Sequence, residues 1–141
     1  MANQNLNQPI PGNKLQTFLE QVLFKVKISP QKYKVIETPV HLFGELVKTK
    51  KGTDLIRKRD DIKKFRSKLL MDSTQSQEKR SILWTLGHIG SQENGMKLIL
   101  ETPLVKDIID MAENAQILSL RGTCIYIIGM MCRTSIGRRE I

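Results

Sequence analysis

Three observations in this sequence predict an all-α, repeated fold. A pair of glycines eight residues apart occurs three times, as Gly44 and Gly52, Gly87 and Gly95, and Gly129 and Gly137, with offsets of 43 and then 42 residues. The apolar residues beside each pair follow helical spacing, as in Ile82, Leu86 and Ile89 with Leu83 alongside. Strand alternation, which a propeller blade or leucine-rich repeat of similar period requires, is missing. A period just above 40 with helical patterning is that of armadillo or HEAT units, which stack into an α-solenoid. About three units are expected, over 37–72, 77–114 and 118–141, the last one truncated.

Residues 1–13 are Asn/Gln-rich and uncharged, and are expected to be a disordered tail ahead of a repeat domain spanning 14–141. Lys14 to Lys27 reads as one amphipathic helix, with Leu15, Phe18, Leu19, Val22 and Phe24 largely on one face. Thr38-Pro39 opens the first helix of unit one, and Ile62 to Met71 is its third helix. In unit two, Ser76 or Thr74 caps a helix running to about Gly90. A short helix follows from about Asn94 to Leu100, and Thr102-Pro103 opens a third, with Thr as cap and Pro in the first turn, to about Asn114. Asp72 to Gln77, small and polar, is the expected exposed loop. In unit three, Leu118 to Cys132 is apolar nearly all round, which predicts burial between neighbouring helices.

The glycine pairs carry their own expectations. Gly44, Gly87 and Gly129 lie inside helices, where each costs about 1 kcal/mol against alanine. Close packing of a neighbouring helix over the missing side chain would explain that cost. Gly52, Gly95 and Gly137 fall at helix junctions, where a helix-terminating position tolerates positive φ.

Composition bounds the function. The chain has 141 residues, 40% hydrophobic and 26% charged, which suits one globular domain. It contains no apolar run of the roughly 18 residues a membrane-spanning helix needs, and no secretory leader, so a cytoplasmic location is expected. Cys124 and Cys132 make no disulfide framework and read as buried small hydrophobes. With His41 and His88 far apart and no metal-ligand spacing, neither metal nor cofactor is expected. Nucleophile elbow, P-loop, GxGxxG and HExxH motifs are absent, which argues against an enzyme and a small-molecule substrate.

Net charge is +9, and much of it is concentrated in Lys48, Lys50, Lys51, Arg57, Lys58, Arg59, Lys63, Lys64, Arg66 and Lys68. This stretch reads either as a surface for an acidic protein, phosphate or membrane head group at the periphery, or as a solvated helical face. Nucleic acid is disfavoured, because Phe43 and Phe65 fit core positions better than exposed stacking platforms. His41, Trp84 and Tyr126 share one repeat position, which reads as a packing slot with one polar tip; an exposed Trp84 would instead be an interface anchor. Arg121 opens an otherwise apolar helix. It reads as a structural ion pair or hydrogen bond to the preceding unit, with Glu113 or Asp110 as partners, or as a partner contact.

Two stretches go beyond what helix packing requires. Ser81-Ile-Leu-Trp-Thr-Leu-Gly-His-Ile-Gly-Ser, with Asn94-Gly95, and Leu118-Ser-Leu-Arg-Gly-Thr-Cys-Ile-Tyr-Ile-Ile-Gly resemble the C-terminal armadillo-type region of the Rictor, or pianissimo, family. Pro39-Val-His-Leu-Phe-Gly-Glu-Leu-Val with Lys51-Gly52 resembles the preceding part of the same region, so that the resemblance covers about Glu37 to Gly137. It implies a non-catalytic scaffold segment of target-of-rapamycin complex 2, with the other subunits of that kinase complex as protein partners. A free-standing armadillo adaptor that binds an acidic ligand through the basic face is the alternative. The third unit lacks its third helix at Ile141, so the chain is expected to be a fragment or a truncated product.

Overall fold

The computed structural model describes residues 39–141, which form one compact unit. The expected tail over 1–13, the expected helix over 14–27 and Thr38 lie outside the described residues. Every regular element among the described residues is a helix. In order they are α1 (Leu42–Leu46), α2 (Lys50–Arg59), α3 (Asp61–Leu70), α4 (Ser76–Gly90), α5 (Glu93–Leu100), α6 (Leu104–Asn114), α7 (Leu118–Met131) and α8 (Ser135–Glu140).

The described residues form an all-α helical-repeat solenoid. The helices α1, α4 and α7 stack on one another as first helices of successive units, and α2, α5 and α8 stack as second helices. The third helices, α3 and α6, each pack against the first helix of the unit that follows. One core runs through the stack, including Val47, Ile56 and Leu69 from the first unit, Leu83, Leu86, Ile99 and Ile108 from the second, and Cys124 and Ile127 from the third. Burial of these side chains, at roughly 25 cal/mol per Å² of apolar surface, drives the stacking.

Helix starts differ from the sequence expectation in a consistent way. Pro39 and Val40 precede α1 without being helical, and His41 is its N-cap. Gln75, without a side-chain cap bond, precedes α4, so neither Thr74 nor Ser76 caps that helix. Pro103 occupies the N-cap position of α6, and the Thr102 hydroxyl donates backwards to the Ile99 carbonyl at 2.9 Å. Side-chain capping occurs elsewhere: Thr49 Oγ1 accepts from Gly52 N at 3.1 Å and Thr134 Oγ1 from Gly137 N at 2.9 Å. These two threonines hold the same place in units one and three, each three residues before the junction glycine. Asp60, between α2 and α3, adopts the left-handed region at φ 59°, a conformation that aspartate tolerates better than most residues.

The junction glycines work differently from the expectation. None has a positive φ. Gly52, Gly95 and Gly137 are each the third residue of a second helix. A Cβ built there would fall on the carbonyl oxygen of Leu46, Ile89 or Met131, respectively, at the end of the preceding helix. Close approach of backbone to backbone is the requirement, and it lets each unit turn sharply from first helix to second.

Candidate partner-binding surfaces

The basic stretch spreads over the turn after α1 and the whole of α2 and α3. Most of its charges meet a partner. Lys48 pairs with Glu45 at 2.6 Å, Lys63 with Asp60 at 3.1 Å and Lys68 with Glu78 at 2.7 Å. Arg59 meets the buried Asp61 carboxylate at 3.2 Å, and Lys64 Nζ donates to the Arg59 carbonyl at 2.6 Å. Two arginines bridge units: Arg57 reaches Glu101 at 2.8 Å as well as Asp54 at 3.2 Å, and Arg66 reaches Asp107 at 2.6 Å. Hydrogen bonding to these carboxylates raises both guanidinium pKa values further above their usual range. Lys50, Lys51 and Lys58 are exposed and make no such pair among the described residues. A shallow cleft of about 310 Å³ lies between α2 and α5, lined by Lys50, Thr53, Asp54, Arg57, Asn94 and Lys97. The free lysines therefore sit on α2, and the α3 cations are occupied by partners.

Other polar staples join the units. Glu93, on α5, accepts from both the backbone N and the Oγ of Ser135 at 2.7 Å, so it caps the start of α8 from the neighbouring unit. Those bonds, the side-chain one foremost, hold its carboxyl below the usual carboxylate range. Asn94 Nδ2 reaches back to the Val47 carbonyl at 3.3 Å. Arg80 Nη1 donates to Ser119 Oγ at 3.0 Å. Arg121 is anchored by Nε, which donates to the Ala112 carbonyl of α6 at 3.0 Å; neither Glu113 nor Asp110 forms an ion pair with it.

The shared aromatic position becomes a ladder along the first helices. His41 and His88 stack with ring centroids 4.7 Å apart and planes 8° from parallel. Trp84 lies 4.9 Å from Tyr126 and 6.4 Å from His88. Burial, and secondarily the nearby His41, lowers the His88 pKa below its ordinary value. Trp84 and Tyr126 keep exposed edges, at 39% and 56% of their surface. The indole thus belongs to a packed ladder and also to the protein surface.

The first glycines show where the stack is closed. His88 Cβ lies 3.4 Å from the Cβ position of Gly44. Ile127 Cγ2 lies 2.9 Å from that of Gly87, and Met131 Cγ lies 2.6 Å from that of Gly90, a close approach the repeat alignment did not single out. Nothing among the described residues comes within 4 Å of the Cβ position of Gly129 or Gly122. The outer face of α7 is consequently open. Leu118, Ile125 and Tyr126 are exposed, against the expectation that α7 would be buried all round. Its apolar character is spent on α4 and α6 on one side only.

Stacked helices with inter-unit staples and without converging catalytic groups among the described residues define a helical-repeat segment whose open surfaces are helix faces. The chain is similar to members of the Rictor (pianissimo) family. Residues 77–141 match the family described as "Rapamycin-insensitive companion of mTOR, domain 5". The chain is 45% identical over 94 residues to protein pianissimo A of Dictyostelium discoideum, covering 66% of this chain and 8% of that protein. It is 34% identical over 103 residues to the human rapamycin-insensitive companion of mTOR, covering 70% and 6%. It is 33% identical over 110 residues to target of rapamycin complex 2 subunit TSC11 of Saccharomyces cerevisiae, covering 70% and 8%. The chain thus spans less than a tenth of the length of these relatives. No helix among the described residues is long and apolar enough to cross a membrane.

Proposed function

We propose that this chain is a non-catalytic scaffold segment of target-of-rapamycin complex 2, acting in the cytoplasm by holding protein partners in kinase signalling. The observation that carries the reading is the match of residues 77–141 to a Rictor domain, the stretch that builds α4 to α8. Relatives described as subunits of that complex support it. A rigid stack with inter-unit ion pairs suits a role in which helix faces hold other proteins in fixed relation. Purification of the tagged full chain from its source cells under gentle conditions tests the proposal. Recovery of the kinase and its other subunits is the expected result, and their repeated absence refutes it.

The free lysines of α2 favour one second reading, an adaptor that takes an acidic or phosphate-bearing protein on that face. Lys50, Lys51 and Lys58 are the residues to reverse in charge, because Arg57, Arg66 and Lys68 hold inter-helix pairs whose loss would disturb the stack itself. Binding to a phosphorylated or acidic partner that falls with salt and is abolished by reversing those three lysines supports this reading. Unchanged binding makes α2 a solvated face.

A further inference from the structure

The open face of α7 is a regular seam. Leu118, Gly122, Ile125 and Gly129 are spaced four, three and four residues apart, the spacing that keeps one stripe of a helix against a partner helix. All four are exposed, Leu118 at 79% and Ile125 at 63%. The stripe alternates a large aliphatic side chain with a glycine whose Cβ position is empty. The covered side of the same stack uses the same device, since Ile127 of α7 fills the gap over Gly87 of α4. The same pairing of a large side chain with a glycine gap is available on the open face.

We propose that this face binds a second copy of the chain, with the two α7 helices antiparallel about a two-fold axis. The register follows from the order of large and small residues. A two-fold axis midway along the stripe sets Leu118 of one copy over Gly129 of the other and Ile125 over Gly122, so each protrusion meets a gap. A parallel, in-register pair would set Leu118 on Leu118 and leave glycine facing glycine. The antiparallel arrangement also opposes the helix dipoles favourably. No charged residue lies on the stripe itself. A closed two-fold contact of this kind hides the seam in one step. One helix per copy is a small interface, which points to dissociation on the order of 10–100 µM.

Sedimentation of the full 141-residue chain over a concentration series tests this. The average mass should rise from 16.2 kDa towards twice that value. Higher salt should strengthen the pair, because two chains each carrying +9 repel. Gly129→Leu fills a gap that is empty in the single chain. It should weaken association roughly tenfold or more through a clash with the opposing Leu118, while the circular dichroism spectrum is retained. Adding Leu118→Gly to that variant exchanges protrusion and gap, and should restore association. A chain that stays monomeric throughout the series overturns the proposal. So does a dimer indifferent to Gly129→Leu, or one that the double variant fails to restore.

Discussion

Gly87 gives the sharpest test of how the stack is held. Gly87 and Gly129 occupy the same position in successive first helices, α4 and α7, so alanine brings each the same gain in helix propensity, about 1 kcal/mol. What differs is the space. At Gly129 the new methyl meets nothing within 4 Å, whereas at Gly87 it meets Ile127 Cγ2 at 2.9 Å and Met130 Sδ at 3.2 Å. Comfortable carbon contacts lie at about 3.5–4.0 Å, so α4 and α7 must separate by several tenths of an ångström. The β-branched Ile127 has essentially one side-chain rotamer in a helix and cannot swing aside. Overpacking of this kind costs about 1–3 kcal/mol. Gly129→Ala is therefore expected to stabilise by about 1 kcal/mol, and Gly87→Ala to be less stable than Gly129→Ala by about 1–3 kcal/mol. Urea unfolding followed by far-ultraviolet circular dichroism, at concentrations where the chain is monomeric, measures both. Ile127→Ala removes the offending methyl and alone costs about 2–5 kcal/mol. Combined with Gly87→Ala it should cost less than the sum, by the overpacking energy. Equal effects of alanine at the two glycines, together with strict additivity at Ile127, would refute the reasoning.

Three further predictions follow from the geometry. Gly95→Ala and Gly137→Ala should destabilise more than Gly87→Ala, since the new methyl meets backbone carbonyls of Ile89 and Met131 that cannot rotate away; the same unfolding assay checks this. The lowered pKa of His88 means that the folded chain binds fewer protons than the unfolded chain below the ordinary value of 6.5. Stability is fully present above pH 6.5 and should fall as pH drops from there through the folded-state value, and His88→Gln should flatten thermal midpoints measured in that window. Burial pushes the Cys124 thiol up to about 11, so it stays protonated and shielded. Cys132 is only partly buried, and a thiol reagent added to the native chain should label Cys132 first and Cys124 only with unfolding.

The glycine pairs, their period and the helical spacing of Ile82, Leu86 and Ile89 determined the fold class, because repeated local patterns admit few ways to bury their apolar faces. The stretch around Trp84 and the Arg121-Gly122-Thr123-Cys124 run determined the family, since their chemistry exceeds what packing demands. Helix starts were less legible. Thr74, Ser76 and Thr102 are good caps by propensity, yet the stack fixes where α4 and α6 begin, and a local preference of about 1 kcal/mol yields to burial of a whole helix. What each charge does depends on the folded stack. Arg66 and Lys58 look alike in sequence, but Arg66 finds Asp107 on α6 and Lys58 faces solvent, because partners that far apart in the chain are brought together by stacking alone. The same holds for the three repeat glycines. The sequence marks Gly44, Gly87 and Gly129 as equivalent, whereas the fold covers the first two with the next helix and leaves the third open, since a residue's environment is set by its neighbours in space.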